Sequence, residues 1–378
     1  MKKQDLQTPA ILLDLDKLEQ NIRSWQALCT KYNKAMWPMI KTHKSAALAK
    51  MQLDAGASGF LCGTIDECEM VHRLGAKHIM YAYPTANPVN LNRLMPLAQD
   101  AELIVRLDTI EAARLLDAAA AKAHVTVSYT IIVDMQFHRF GIPAEKVVPF
   151  AQSLSAFQNL RFRGISTHPG QVYGCTTRAA LMEVTQLEID TMTQAASALA
   201  DAGFPCEIVS SGSTPTFPIV VAAPAINVCH PGNYTFFDHI QMALGTCGED
   251  ACALRVRATV VSNPSDGFYL LDAGSKCLGL DQGAHGNSAI QGFGYVVDHP
   301  ELTIIGLSEE VAKVQANGTS SLKVGDQVEI IPNHSCSSAN HTSWYTCVRG
   351  EAVVDFLPVD VRENSQKKGT LSPISNEA

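Results

Sequence analysis

The sequence lacks both a basic patch and a long hydrophobic run. No Lys/Arg-rich segment occurs in a chain whose formal net charge is −8, so nucleic acid is not an expected partner. Nowhere do about 18 apolar residues run together, as a membrane-spanning helix requires. The N-terminal segment MKKQDLQTPAILLDLD also has no apolar signal core. We therefore expect a cytoplasmic protein without a membrane span.

Paired cysteine motifs are missing as well. The 11 cysteines are scattered and include no CxxC pair, so we expect most of them to be reduced and structural. With 46% apolar and 17% charged residues, the chain has the composition of a globular protein. Its 378 residues predict one large domain and a smaller one.

Strand-like runs alternate with amphipathic helical segments through the first two thirds of the chain. Helical segments such as 16–33, 43–56, 108–123 and 178–202 separate the strands, and glycine closes several of them, as at Gly56, Gly75 and Gly203. This alternation predicts an α/β fold of the (β/α)8 TIM-barrel type, with a doubly wound open sheet as the alternative. The eight strand-like runs are 35–41, 58–62, 78–83, 102–107, 126–134, 162–168, 206–211 and 226–231.

The rhythm changes after residue 250 to short β-type runs with little helical pattern, which predicts a second, all-β domain. Its predicted strands are 254–261, 268–272, 302–305, 327–331 and 344–348, and the Gly-rich stretch 281–294 is predicted to form a long loop. We expect an N-terminal strand in 1–14 that packs with the β-domain, a cofactor-binding barrel in 15–245, a C-terminal β-domain with a metal site in 246–362, and a disordered tail in 363–378.

Lys41 ends the first predicted strand, in the segment PMIKTHKS. In a barrel of this kind, reactive groups lie where strands end, at the C-terminal face. Partial burial among apolar neighbours would depress the pKa of the ammonium and supply the free amine that Schiff-base chemistry needs. The alternative is a solvated surface lysine.

Small, hydroxyl-rich turns follow the seventh and eighth predicted strands, SSGSTPT at 210–216 and PGNY at 231–234. Backbone N–H groups and the hydroxyls of Ser213 and Thr214 could bind an anion, and barrels commonly hold a phosphate after these two strands. A lysine on strand one facing a phosphate site is the arrangement that pyridoxal phosphate requires. The alternative is a pair of ordinary tight turns.

A candidate metal pair lies in the segment PNHSCSSAN. In an extended segment residues i and i+2 project from the same face, so His334 and Cys336 could bind one ion together. An imidazole and a thiolate favour Zn²⁺, with an open position left for catalysis. An H-x-C pattern also occurs by chance.

Further polar candidates follow the fifth and sixth strands. Arg139 and His138 lie in VDMQFHRFG, where a guanidinium could hydrogen-bond the phenolate oxygen of the cofactor. His168 and Tyr173 lie in THPGQVYG and would be placed near the cofactor ring. The alternatives are a surface arginine and a structural histidine.

These segments resemble the D-threonine aldolase and D-serine dehydratase family of fold-type III pyridoxal-phosphate enzymes, which share the alanine racemase-like barrel. The likeness covers almost the whole chain. It runs in order through TPAILLDLDKLEQNI, PMIKTHKS, DMQFHRFG, THPGQVYG, SSGSTPT, PGNYTFFD, LDAGSKCLGLD, LSEE and PNHSC.

The resemblance implies a role for each candidate. Lys41 would form the Schiff base, Arg139 would contact the ring oxygen and His168 would lie against the ring. Tyr173 would face the cofactor or substrate and take part in catalysis. The remaining cofactor contacts would come from Gly212, Ser213, Thr214, Gly232, Asn233 and Tyr234, and the metal, Zn²⁺ with Mn²⁺ or Mg²⁺ as alternatives, would be held by His334 and Cys336.

The partner of the pyridine nitrogen stays unassigned, because His230 occupies a place where relatives often carry another residue. Aldolases of this family typically show H-x-D at the metal pair and D-serine dehydratases show H-x-C, and this chain reads HSC. The resemblance therefore implies a zinc-dependent dehydratase that converts a D-3-hydroxy amino acid to a 2-oxo acid and ammonia. The alternatives are an aldolase that releases glycine and an aldehyde, and a pyridoxal-phosphate carrier protein. By the same resemblance we expect a homodimer with shared active sites.

Overall fold

The computed structural model describes residues 1–282 and 286–362. The predicted disordered tail, 363–378, and the centre of the predicted loop, 283–285, lie outside these ranges. The flanking parts of that loop, 281–282 and 286–294, contain neither helix nor strand. The domain boundaries proposed above stay predictions.

Eight parallel strands form one sheet that curls into a nearly closed barrel. Its edge strands meet through a parallel bridge between Met39 and Leu61. The predicted (β/α)8 barrel is therefore confirmed, and the open doubly wound sheet is excluded. The strands are β2 (Ala35–Met36), β3 (Phe60–Cys62), β4 (His78–Tyr81), β5 (Glu102–Leu107), β6 (Val127–Ile132), β7 (Leu160–Ser166), β8 (Ile208–Ser211) and β9 (Val228–Cys229).

Helices cover the outside of the barrel, and side-chain caps begin several of them. Asp14, Thr64, Thr109 and Thr177 each accept a hydrogen bond from a backbone N–H in the first turn of the following helix. The helices are α1 (Leu15–Lys31), α2 (Ala46–Ala55), α3 (Ile65–Arg73), α4 (Pro88–Leu94), α5 (Ile110–Ala123), α6 (Val147–Leu154), α7 (Arg178–Asp201), α8 (Phe217–Val220) and α9 (His239–Ala243). No helix in the described ranges is long and apolar enough to cross a membrane.

The C-terminal region is mostly strand, as predicted. It also contains two short helices, α10 (Ser275–Leu278) and α11 (Ser335–Ala339), that the sequence pattern did not indicate. The N-terminal strand β1 (Ala10–Asp14) pairs antiparallel with β10 and parallel with β16. The strands are β10 (Leu254–Ser265), β11 (Phe268–Leu271), β12 (Tyr295–Val296), β13 (Leu302–Leu307), β14 (Ala312–Ala316), β15 (Gln327–Ile331), β16 (Trp344–Arg349) and β17 (Ala352–Pro358).

The barrel lumen is filled by its own apolar cluster, whose members include Trp37, Met80, Ile104 and Val228. This packing makes the barrel a solid support rather than a channel. The polar groups of the candidate site lie above this cluster, where the strands end and the loops begin.

The β-domain holds the segment that follows β2. Tyr345 Oη donates a 2.6 Å hydrogen bond to the carbonyl of His43, and Val361 N donates a 3.2 Å bond to the carbonyl of Lys44. Lys44 of the same segment forms a buried ion pair, with Nζ 2.9 Å from Glu67 Oε1. The angles at these two atoms do not fit a hydrogen bond. Both domains thus determine the path of the chain at Lys41.

Candidate active site

A cavity of about 190 Å³ lies at the C-terminal ends of the barrel strands. Its apolar floor is formed by Met39, Leu61 and Ala82. No aspartate or glutamate of the described ranges lines it, while three cationic side chains do, Lys41, Arg106 and Arg139. Its remaining lining is Lys41, Thr42, Tyr83, Arg106, Arg139, His168, Tyr173, Gly212, Ser213, Thr214, His230, Gly232, Asn233, His334 and Cys336.

Lys41 lies in a 3-10 turn, Ile40–Thr42, and not at the end of a strand as predicted. The first barrel strand is only Ala35–Met36, although Met39 N still donates a 3.1 Å hydrogen bond to the carbonyl of Pro231 at the barrel edge. The turn directs the lysine into the cavity, where Nζ donates a 3.3 Å hydrogen bond to the hydroxyl of Tyr83. Within the described residues Lys41 forms no ion pair with a carboxylate.

The expected depression of the Lys41 pKa is wrong for the ligand-free protein. Burial lowers this pKa, but the negative charges that Tyr83 and Cys336 can carry outweigh burial and hold it above its ordinary value. Without ligands the lysine therefore carries its proton.

The turn after β8 has fewer free donors than its sequence suggests. Gly212 N donates to Glu188 Oε1 at 2.9 Å, and Ser213 N donates to Thr216 Oγ1 at 3.1 Å. By contrast, Thr214 Oγ1 is buried and has no hydrogen-bond partner among the described residues. An unsatisfied buried hydroxyl is costly, and this one lines the cavity, so it is available to a polar ligand there.

The turn after β9 closes tightly over the lysine segment. A Cβ at Gly232 would lie 2.8 Å from the carbonyl oxygen of Met39, so only glycine fits there. Asn233 directs its amide to Asp238 at 2.6 Å and to Ser335 at 2.8 Å. Tyr234 does not line the cavity, since its ring stacks on Trp25 with centroids 5.1 Å apart.

The residues after β6 and β7 reach the cavity from the opposite side. Arg139 lies 4.9 Å above the ring of Phe137 and 5.8 Å from that of Tyr83, in cation–π range. His138 points away, and its side chain is 79% exposed. Burial, helped by the charges of Lys41 and Arg139, holds the pKa of His168 well below its ordinary value, so its imidazole is neutral.

Tyr173 is buried in a 3-10 turn, Gly170–Gly174, and lines the cavity. Its hydroxyl interacts with Gln241 and with the backbone N–H of Thr214. Burial raises the pKa of this phenol, so it keeps its proton near neutral pH. The two turns that were expected to face the cofactor, 170–174 and 210–216, are therefore in direct contact.

His334 and Cys336 both line the cavity, but not through the extended geometry that the sequence predicted. His334 is the N-cap of α11, with φ −136° and ψ 106°, and Cys336 lies in the first turn of that helix. The helix forms because the orphan amide of Ser335 finds a carboxylate acceptor in Asp238, 2.9 Å away.

Asp238 is fully buried and also orients His334, whose Nδ1 lies 3.2 Å from Asp238 Oδ2. Since Nδ1 is engaged, Nε2 is the atom left for a ligand. Cys336 Sγ lies 3.2 Å from the hydroxyl of Thr42, and the neighbouring His334 lowers its pKa against the opposite effect of burial. The described residues contain no cluster of three or more His, Cys, Asp or Glu side chains that could hold a metal, so this pair would need ligands from elsewhere.

Sequence reasoning missed Arg106, Tyr83, Thr42, Asp238 and Glu188. Arg106 is buried on β5, where Nε donates a 2.8 Å hydrogen bond to Ser166 and burial lowers the pKa to about 10. The arginine after the apolar residues 103–105 of this predicted strand was a usable signal, because arginine is seldom fully buried without a function or partner. Tyr83 and Thr42 carried no such signal.

The comparisons with known proteins agree with this architecture. A family model described as alanine racemase, N-terminal domain, matches residues 13–239, and one described as putative serine dehydratase domain matches residues 253–348. The chain is 30% identical to D-threo-3-hydroxyaspartate dehydratase of Delftia sp. (strain HT23), over 92% of this chain and 96% of that protein. It is 29% identical to D-serine dehydratase of Dictyostelium discoideum, over 92% and 94%.

The crystal structure of D-threonine aldolase from Filomicrobium marinum superposes with a TM-score of 0.88 at 27% identity, covering 96% of this chain and 97% of that chain. Fold and site together define a pyridoxal-phosphate-dependent lyase with an alanine racemase-like barrel. The chain belongs to the D-threonine aldolase and D-serine dehydratase family, as the resemblance predicted.

Two buried histidines at the site predict how stability depends on pH. Burial lowers the pKa of His43 to about 4 and that of His230 to about 3, whereas an unfolded histidine titrates near 6.5. Below about pH 6.5 these histidines bind protons in the unfolded chain but stay neutral in the folded chain. The free energy of unfolding therefore falls by about 1.4 kcal/mol per pH unit for each histidine, down to about pH 4. Urea denaturation of the cofactor-free His230→Gln variant should show a slope smaller by that amount.

The exposed His124 is the matched control, because it lies outside the site, and we expect His124→Gln to keep the wild-type pH slope of the free energy of unfolding. An identical slope in wild type and His230→Gln would contradict the neutral, buried state of His230.

Proposed function

We propose that this protein is a pyridoxal-phosphate- and zinc-dependent dehydratase that converts a D-3-hydroxy amino acid, such as D-serine or D-threonine, to a 2-oxo acid and ammonia. The observation that carries the proposal is one cavity with three features. Lys41 enters it, the unsatisfied Thr214 hydroxyl faces it, and the His334–Cys336 pair borders it.

The residues present fit pyridoxal phosphate. The cationic lining suits an anionic cofactor, and the turns at Thr214 and Gly232 would hold its phosphate. When bound, this cofactor withdraws electrons from the bonds at Cα of an amino acid. Arg139 would face its phenolate oxygen, and the neutral His168 and His230 would border its ring without adding positive charge.

Lys41 Nζ is the group that we assign to the Cα proton, and it acts as a base only after it has lost the proton that it carries in the ligand-free protein. Its hydrogen bond to Tyr83 orients the amine, and the apolar floor excludes water beneath it. The protonated phenol of Tyr173 lies on the His168 side of the cavity, with ring centroids 6.5 Å apart, and can donate a hydrogen bond to a substrate oxygen.

The donor set of His334 Nε2 and Cys336 Sγ fits Zn²⁺ better than Mn²⁺ or Mg²⁺, because thiolate is a soft ligand. A zinc ion there would act as a Lewis acid on the β-hydroxyl of the substrate. One solved structure of D-threo-3-hydroxyaspartate dehydratase is a cysteine-to-alanine variant described as the metal-free form.

The second candidate is an aldolase that cleaves the Cα–Cβ bond and releases glycine and an aldehyde. It is favoured by relatives of that activity, such as 3-hydroxy-D-aspartate aldolase of Paracoccus denitrificans (strain Pd 1222), 28% identical over 96% of this chain. The same Lys41 and metal pair would serve both reactions. The carrier alternative is set aside, since the chain is a lyase.

The product distinguishes the two activities. We expect purified holoenzyme incubated separately with D-serine, D-threonine and D-3-hydroxyaspartate to release 2-oxo acid and ammonia, with glycine as a minor product at most. Borohydride reduction followed by peptide mapping should label Lys41, and Lys41→Ala should lose both the label and turnover. Glycine as the main product would replace the dehydratase with the aldolase.

Asp238 should determine metal affinity without touching the metal. Asp238→Asn replaces the carboxylate that accepts the His334 Nδ1–H by a neutral amide with a single acceptor oxygen, so the hold on the imidazole is weakened. Removal of such a partner lowers metal affinity about 10- to 100-fold. Competition with a chromophoric zinc chelator measures this change, and the exposed Asp298→Asn is the control that should bind zinc like wild type. Equal zinc affinities for wild type, Asp238→Asn and Asp298→Asn would contradict this role of Asp238.

We also propose a homodimer with shared active sites, in keeping with the resemblance. Trp344 on β16 and Phe356 on β17 are diagonal neighbours, and they are 54% and 49% exposed. Such an apolar patch is typical of an interface. Sedimentation velocity should show a dimer that Phe356→Glu dissociates, and a monomeric wild type would disprove it.

A further inference from the structure

Glu188 is a fully buried carboxyl group directly behind the turn that follows β8. It lies on α7, and its Oε1 accepts hydrogen bonds from Ser211 Oγ and from Gly212 N, the latter at 2.9 Å. No lysine, arginine or histidine of the described ranges forms an ion pair with it. The mechanism above leaves this group without a role.

An ionised carboxylate in such a place is strongly disfavoured, because burial penalises the charged form and no cation compensates it. Burial raises the pKa of Glu188 to about 7, against hydrogen bonds from Ser211, Thr216 and Gly212 that lower it. Near neutral pH the ligand-free protein therefore contains both the protonated and the ionised form of Glu188.

The same turn would hold the phosphate of the cofactor, and this inference rests on that part of the proposed function. Glu188 takes the backbone N–H of Gly212, so it shapes the turn while Thr214 remains free for the ligand. A phosphate bound at this turn brings further negative charge towards a carboxyl group that no cation screens. Like charges at short range favour the neutral acid.

We propose that Glu188 acts as a neutral carboxylic acid that positions the phosphate-binding turn, and that its ionisation weakens the hold on the cofactor. Binding and protonation are then reciprocal: the phosphate favours the protonated acid, and the protonated acid favours the phosphate. Glu188 is a positioning residue, since it acts through Ser211 and Gly212.

Among the titratable groups around this turn, Glu188 is the one whose pKa lies near neutrality. From β9, Cys229 interacts electrostatically with it, and burial together with Cys29 holds the pKa of that thiol far above neutrality. On β7, Arg161 and Arg163 are both paired with Glu207. His230, bonded through its backbone to Ser211, stays neutral because burial lowers its pKa to about 3. The other titratable side chains on α7 and the elements packed against it are the cavity-lining Tyr173 and the exposed Glu145, Lys146, Arg178, Glu183, Asp190 and Asp201.

The test compares wild-type holoenzyme with Glu188→Gln. Glutamine keeps an oxygen acceptor for Ser211 and Gly212 but cannot ionise. With a pKa of about 7 in the cofactor-free state, linkage predicts that the dissociation constant of pyridoxal phosphate rises about tenfold more between pH 6 and pH 8 in wild type than in Glu188→Gln. Equilibrium dialysis of the holoenzyme measures this constant.

Glu183→Gln is the matched control, since Glu183 lies on the same helix and is exposed. It should follow the wild-type pH dependence. Parallel curves for wild type and Glu188→Gln, with cofactor bound in both, would overturn the role of Glu188 and leave the proposed function standing. A wild-type chain that binds no pyridoxal phosphate would overturn both.

Infrared spectroscopy supplies an independent readout if Glu188→Gln does not fold. The difference spectrum of wild type with and without pyridoxal phosphate should gain the carbonyl stretch of a protonated carboxylic acid at neutral pH. A spectrum in which carboxylate bands gain instead would overturn the proposal.

Discussion

One buried carboxylate joins the two domains at the site. Asp238 follows the last barrel strand and accepts hydrogen bonds from Asn233 of the barrel, and from Ser335 N and His334 Nδ1 of the β-domain. Because a buried carboxylate must have its lone pairs satisfied, these contacts are mutually dependent. They place the start of α11 at the barrel mouth, beside the Lys41 segment, where Cys336 Sγ lies 3.2 Å from the hydroxyl of Thr42. Together with the bonds from Tyr345 and Val361 to the lysine segment, this junction brings Lys41 and the His334–Cys336 pair to one cavity.

The distribution of charge follows from the same constraint. Cations line the cavity, while the carboxylates Asp238 and Glu188 lie behind the turns and accept backbone and side-chain donors. His168 and His230 stay neutral because burial and nearby cations oppose their protonation. The cavity therefore has cationic side chains on its surface and carboxyl groups behind its turns. This arrangement suits an anionic cofactor and the carboxylate of an amino acid.

Much of this site could be predicted from motifs, but its geometry could not. PMIKTHKS located Lys41, yet the lysine lies in a 3-10 turn and its pKa is raised rather than lowered. PNHSC located the metal pair, yet Cys336 belongs to a helix. Tyr234 was expected at the cofactor and packs on Trp25 instead. In each case the residue type was informative, while the local backbone depended on partners distant in the chain.

The sequence by itself determined the fold class and the family, because hydrophobic periodicity and ordered motifs are local properties that a single chain displays. Tertiary structure decided which atoms are free to act. The tautomer of His334 depends on Asp238, 96 residues away, and the contact between Lys41 and Tyr83 spans 42 residues. The shifted pKa values of Arg106 and Glu188 arise from burial. Burial is a property of the folded chain, so these shifts could not be predicted from the sequence.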